Sequence, residues 1–114
     1  MVLLNGLQMK TKDLPIACTL TTAELQERRR TNLERVKQAI VESRELEDGY
    51  ALSFPSSTES LNELTALVDL ERQCCPFLTF RITVEANSGP LWLEVTGPDG
   101  TKDFLRNTFD WNMS

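Results

Sequence analysis

Two adjacent cysteines, Cys74 and Cys75, stand directly before Pro76, and Glu71 precedes them by three and four residues. At helical spacing these side chains share one side of a helix end. Two thiols with a carboxylate form a donor set for Zn or another thiophilic metal or metalloid, such as Cu(I), Hg(II) or arsenite. Cys18 would supply a third thiol if the fold brought it near. The position on the helix selects among cysteine chemistries. Reactive thiolates favour helix N-termini, where the dipole lowers the thiol pKa. Cys74 and Cys75 close a helix, where partial negative charge disfavours a thiolate and favours a cation. The chain contains no histidine, so it has no Ser-His-Asp or Cys-His triad and no imidazole ligand or acid–base. The residues therefore read as a metal or metalloid site at Cys74, Cys75, Glu71 and Cys18, with no catalytic residue. Two rivals stand beside it: the thiols pack as small hydrophobes, or Cys74 or Cys75 does redox or covalent chemistry. Adjacent cysteines lack CxxC spacing, and neighbouring helical side chains diverge by about 100°.

Glu71 continues the apolar stripe of Leu64, Leu67 and Val68, so its carboxylate faces the core and needs a cation. Arg29 is the candidate, because it lies four residues after Leu25 and four before Leu33 on the apolar face of an earlier helix. A structural Arg29–Glu71 pair explains both residues without a metal. Its neighbours Arg28 and Arg30 read as a solvated helix face amid Glu24, Glu27 and Glu34.

The elements that must hold these residues follow from periodicity and punctuation. Thr21 and Glu24 make a capping box with a Leu20–Leu25 staple, and apolar spacing carries a helix to about Arg44. Asp48-Gly49 turns the chain into a strand at Tyr50–Phe54, expected to be buried on one face. Ser56 and Glu59 open a second helix that reaches Cys74, where Pro76 pushes Cys75 away from helical dihedrals. Alternation marks strands at Leu78–Val84 and Leu91–Val95, separated by Asn87-Ser88-Gly89 turn chemistry. Gly97-Pro98-Asp99-Gly100 reads as a turn rather than a phosphate loop, and Thr101 or Asp99 caps a short final helix. A further strand is expected at Pro15–Leu20. The order predicts an α+β fold, with a small antiparallel sheet of three to four strands, helices on one face and near-ferredoxin-like connectivity. With the two long helices parallel, Cys18 would sit a domain's length from Cys74, unless the N-terminal segment folds back or another subunit supplies it.

The chain has 114 residues, 12 Lys+Arg and 17 Asp+Glu, a net charge of −5 that disfavours nucleic acid and anionic membranes as partners. Residues 1–13 read as an N-terminal arm and 14–114 as one domain. No apolar run approaches the roughly 20 residues of a membrane span, and no signal segment is evident. A cytoplasmic location follows, where cysteines are normally thiols, and a disulfide scaffold is not expected. Trp92 and Trp111 point to a homodimer interface or a covered second sheet face.

Three stretches carry a resemblance: Pro15 to Thr21 (PIACTLT), Glu71 to Phe80 (ERQCCPFLTF) and Gly97 to Leu105 (GPDGTKDFL). Together they resemble a family of small uncharacterised bacterial proteins over about residues 15–109. The resemblance implies a bacterial, cytosolic, single-domain protein, and brings no activity or site residues with it.

Overall fold

The computed structural model describes residues 22–109, apart from the side chains of 108 and 109. Helix α1 (Ala23–Ala39) leads into strands β1 (Glu42–Glu45) and β2 (Gly49–Phe54). Helix α2 (Thr58–Cys74) follows, then β3 (Thr79–Val84), β4 (Leu91–Thr96) and α3 (Thr101–Phe109). The strands form one antiparallel sheet in the order β1-β2-β4-β3. The expected α+β fold is what the described residues form. The expected arm at 1–13 and strand at Pro15–Leu20 lie outside the described residues.

Antiparallel pairing on both sides of β4 leaves β2 and β3 parallel, with α2 crossing between them and β4 inserted in the gap. This is the split β-α-β core of a ferredoxin-like sheet. The fourth strand differs: β1 enters from the N-terminal side as a hairpin with β2.

The α1 boundary departs from expectation at both ends. Thr22, not Thr21, is the N-cap, with Oγ1 accepting the Leu25 N–H at 3.1 Å. Ser57 rather than Ser56 likewise caps α2, accepting the Ser60 N–H at 3.0 Å. Each cap is a hydroxyl doublet, so either residue offers the acceptor. The one-residue shift places Glu24 and Glu59 in the first turn, where they complement the dipole instead of closing a capping box. At its other end α1 stops at Ala39, because Ile40 is already extended (φ −65°, ψ 124°) and Val41 N–H donates to the Ser53 carbonyl at 2.8 Å. The residues expected to finish the helix form β1 instead.

The core lies between the helices and one sheet face. Tyr50, Leu52 and Phe54 of β2 and Leu91, Leu93 and Val95 of β4 meet Leu33 and Val36 of α1, Leu64 and Leu67 of α2, and Leu105 of α3. Burying each such side chain is worth roughly 1.5–3 kcal/mol. β2 is buried on both faces, contrary to the one-sided expectation. Ser53 is flanked in register by Glu42 and Trp92, and the Arg44 guanidinium lies 4.4 Å from the Trp92 ring centroid. Trp92 therefore has a partner within its own sheet. Gly49 is required by close approach: a Cβ there would stand 1.8 Å from the Val95 carbonyl oxygen. Asn87 and Ser88 both adopt left-handed backbone, as their turn chemistry predicts.

α1 and α2 run antiparallel, not parallel. Arg29, early in α1, meets Glu71, late in α2, and the Asn32 amide donates to the Glu63 carbonyl at 3.4 Å. The extra chain reversal at the β1–β2 hairpin produces this direction, so the start of α1 lies at the Cys74 end of α2.

Candidate metal centre

α2 ends in a way that gathers its last functional side chains. Pro76 cannot donate a backbone bond, and Cys75 leaves the helix with φ −126° and ψ 76°. The Cys75 N–H still donates to the Glu71 carbonyl at 2.6 Å, and Leu78 N–H to the Cys75 carbonyl at 3.1 Å. Phe77, fully buried, packs edge-on against Phe104 with centroids 5.0 Å apart. This packing fixes the chain directly after the cysteines.

Glu71, Cys74 and Cys75 come together as the sequence predicts. Their potential ligand atoms all lie within 4.8 Å of one another, and all three residues are buried. Glu71 uses both oxygens. Oε2 accepts the Arg29 Nε–H at 2.7 Å, and Oε1 accepts the Cys75 S–H at 3.8 Å. The Arg29–Glu71 ion pair is thus present, with side-chain exposures of 15% and 1%. The expected pair and the expected donor cluster share one carboxylate.

Burial raises the pKa of both acids of the cluster. Burial pushes the Glu71 carboxyl above its usual range, against the pull of the Arg29 charge and of the hydrogen bonds from Arg29 and Cys75. Burial first, then the neighbouring carboxylate, push the Cys75 thiol up to about 12. At neutral pH its proton stays on sulfur, which works against Cys75 as a nucleophile.

The two cysteines are not equivalent. Cys75 is a free thiol, whereas Cys74 is disulfide-bonded. The expectation that these cysteines remain thiols is corrected for Cys74. Cys18, the remaining predicted ligand, lies outside the described residues. The parallel direction expected of the two long helices is corrected: they pack antiparallel, with the beginning of α1 beside the end of α2.

The described residues bring Glu71, Cys74, Cys75 and Arg29 together at this corner and add a Glu71–Cys75 hydrogen bond that the sequence analysis does not anticipate. The i,i+4 spacing was its signal. Farther away, Thr101, expected with Asp99 as one of two alternative caps, is 1% exposed, and its Oγ1 has no hydrogen-bond partner among the described residues. Its hydroxyl instead lies against Gly97, where a Cβ would come within 2.4 Å of it.

No protein-family model matches the chain, nor does any curated protein or solved structure. Among the described residues, no helix is long and apolar enough to cross a membrane.

Proposed function

We propose that the protein binds a thiophilic divalent metal ion, of the Zn(II) class, through Cys74, Cys75 and Glu71. The observation that carries this reading is the buried cluster itself, with its ligand atoms within 4.8 Å of one another. Tetrahedral ligands about 2.0–2.3 Å from an ion stand roughly 3.3–3.8 Å apart, so closure asks for side-chain movements of about 1 Å.

Charge selects the ion. Two thiolates and the Glu71 carboxylate present three negative charges in a region with little water. A divalent ion and the Arg29 guanidinium bring that set to neutrality, which a monovalent or trivalent ion does not. The high Cys75 pKa does not oppose binding, because a coordinated thiol is deprotonated by the metal's own field. Its proton is released on binding, and affinity therefore rises with pH. Arg29 then acts as a positioning residue, holding Glu71 Oε2 while Oε1 is available to the ion. Cys74 contributes once its disulfide is reduced.

The test is metal content and Zn(II) affinity of the reduced chain, prepared anaerobically, against Cys74→Ser and Cys75→Ser. The expected result is one ion per chain, with each variant weakened by more than the roughly 10–100-fold that changes outside the ligand shell cost. Unchanged stoichiometry and affinity in both variants would overturn the assignment.

A further inference from the structure

We propose that the groove between α1 and α2 binds a small zwitterion, a free α-amino acid with an apolar side chain. The groove encloses roughly 450 Å³, and its lining includes Arg28, Asn32 and Arg35 of α1 and Ala66, Asp69 and Leu70 of α2. That volume falls within the range of about 300–1,000 Å³ found for small-molecule sites. Residues 28, 32 and 35 follow one another by four and then three positions, so they form one row along α1. None of Glu71, Cys74 and Cys75 belongs to the groove, and the site stands apart from the metal-binding reading.

Asn32 is the residue that calls for a ligand. It is 7% exposed, and its Oδ1 has no hydrogen-bond partner among the described residues. Its amide nitrogen is already used, donating to the Glu63 carbonyl of α2 at 3.4 Å. Turning the amide over would set oxygen against oxygen, so the acceptor stays where it is. Buried polar groups are normally paired. An acceptor left open in the wall of a groove is answered by a ligand that brings an N–H.

Charge supplies the rest. Arg28 and Arg35 end the row, about 10 Å apart along the helix axis. Arg28 meets Glu24 only loosely, at 3.8 Å with both side chains largely exposed. Arg35 has no ion-pair partner among the described residues. A guanidinium takes a carboxylate through two parallel N–H bonds. Antiparallel packing puts Asp69 towards the Arg28 end, where its Oδ1 also holds Arg72 at 2.8 Å. An anion without a donor leaves Asn32 unanswered, and a simple cation meets two arginines. A carboxylate with an ammonium group one carbon away answers both. Its carboxylate lies on Arg35, its ammonium between Asn32 Oδ1 and Asp69, and its side chain against Leu70 and Ala66.

The experiment titrates the full chain with L-leucine by isothermal calorimetry, beside acetate and N-acetyl-L-leucine. Arg35→Gln and Asn32→Leu are titrated in parallel, with circular dichroism to confirm their fold. The expected result is saturable one-to-one binding of L-leucine, weakened roughly tenfold or more in each variant. N-acetyl-L-leucine, which lacks the ammonium charge, should bind more weakly by a similar factor, and acetate more weakly still. Arg35 is exposed, so Arg35→Gln carries the test if Asn32→Leu does not fold. Absence of saturation at millimolar L-leucine would overturn the proposal. So would an affinity that Arg35→Gln leaves unchanged, or equal binding of acetate or N-acetyl-L-leucine.

Discussion

Replacing Glu71 tests the most heavily shared group in the cluster, because one buried carboxylate serves both Arg29 and Cys75. Removing one partner of a buried ion pair costs about 3–5 kcal/mol, mostly because the other charge is left unpaired. Arg29 retains 15% side-chain exposure and can reach toward water, so Glu71→Leu falls near the lower end, about 3 kcal/mol. Arg29→Met strands a carboxylate that is 1% exposed, and costs about 4 kcal/mol. Replacing both at once removes both desolvation penalties, and the double variant should lie within about 1 kcal/mol of the original chain. The assay is a double-mutant cycle by urea unfolding. With m near 1.5 kcal/mol/M, each single variant lowers the midpoint by roughly 2 M or more and the double variant by less than 1 M. Additive single effects, or single costs below about 1 kcal/mol, would refute the reasoning. The pH dependence has a definite sign. Burial holds the Glu71 pKa above its ordinary 4.5, so the folded state keeps this proton more tightly than the unfolded one. The group's stabilising contribution is complete below the unfolded value and is lost as pH rises through the folded one. The advantage of the original chain over Glu71→Gln should therefore shrink as pH rises from below 4.5 towards neutrality; growth over that range would contradict burial as the leading cause.

Three further outcomes follow from two single groups. The Cys75 thiol, raised from 9.0 to about 12, should be alkylated at neutral pH roughly a thousandfold more slowly than an ordinary thiol. Its rate should still be climbing tenfold per pH unit at pH 10, and labelling at the rate of an exposed cysteine would remove the argument. The same shift predicts that stability relative to Cys75→Ser falls as pH climbs from about 9 towards 12, since the unfolded thiol ionises first. Thr101→Val should raise stability by about 1 kcal/mol, because the buried Oγ1 it removes has no hydrogen-bond partner among the described residues. A loss of similar size in thermal or urea melts would show that the hydroxyl is satisfied after all.

What could be read from the chain, and what could not, divides along physical lines. β4 was legible because it shows a buried–intermediate alternation on a sheet with one apolar face. Pro76 announced where α2 ends, and the apolar stripe of α2 announced that Glu71 faces inward. β1 was illegible: Glu42-Ser43-Arg44-Glu45 has no apolar residue, and its mostly exposed edge position imposes no burial pattern. That omission propagated. Without the β1–β2 hairpin one chain reversal is missing, and α1 and α2 come out parallel. The Arg29–Glu71 pair already contained the correction, since an early α1 residue can meet a late α2 residue only if the helices oppose.

The most direct test of the metal assignment is X-ray absorption at the zinc edge on the reduced, anaerobically loaded chain. The account predicts a four-coordinate ion with two sulfurs at about 2.3 Å and a carboxylate oxygen at about 2.0–2.2 Å, the remaining position filled by water or a third thiol. Cys75→Ser should lose one sulfur from that shell. A shell of oxygen and nitrogen alone, or one that Cys75→Ser leaves unchanged, would contradict it.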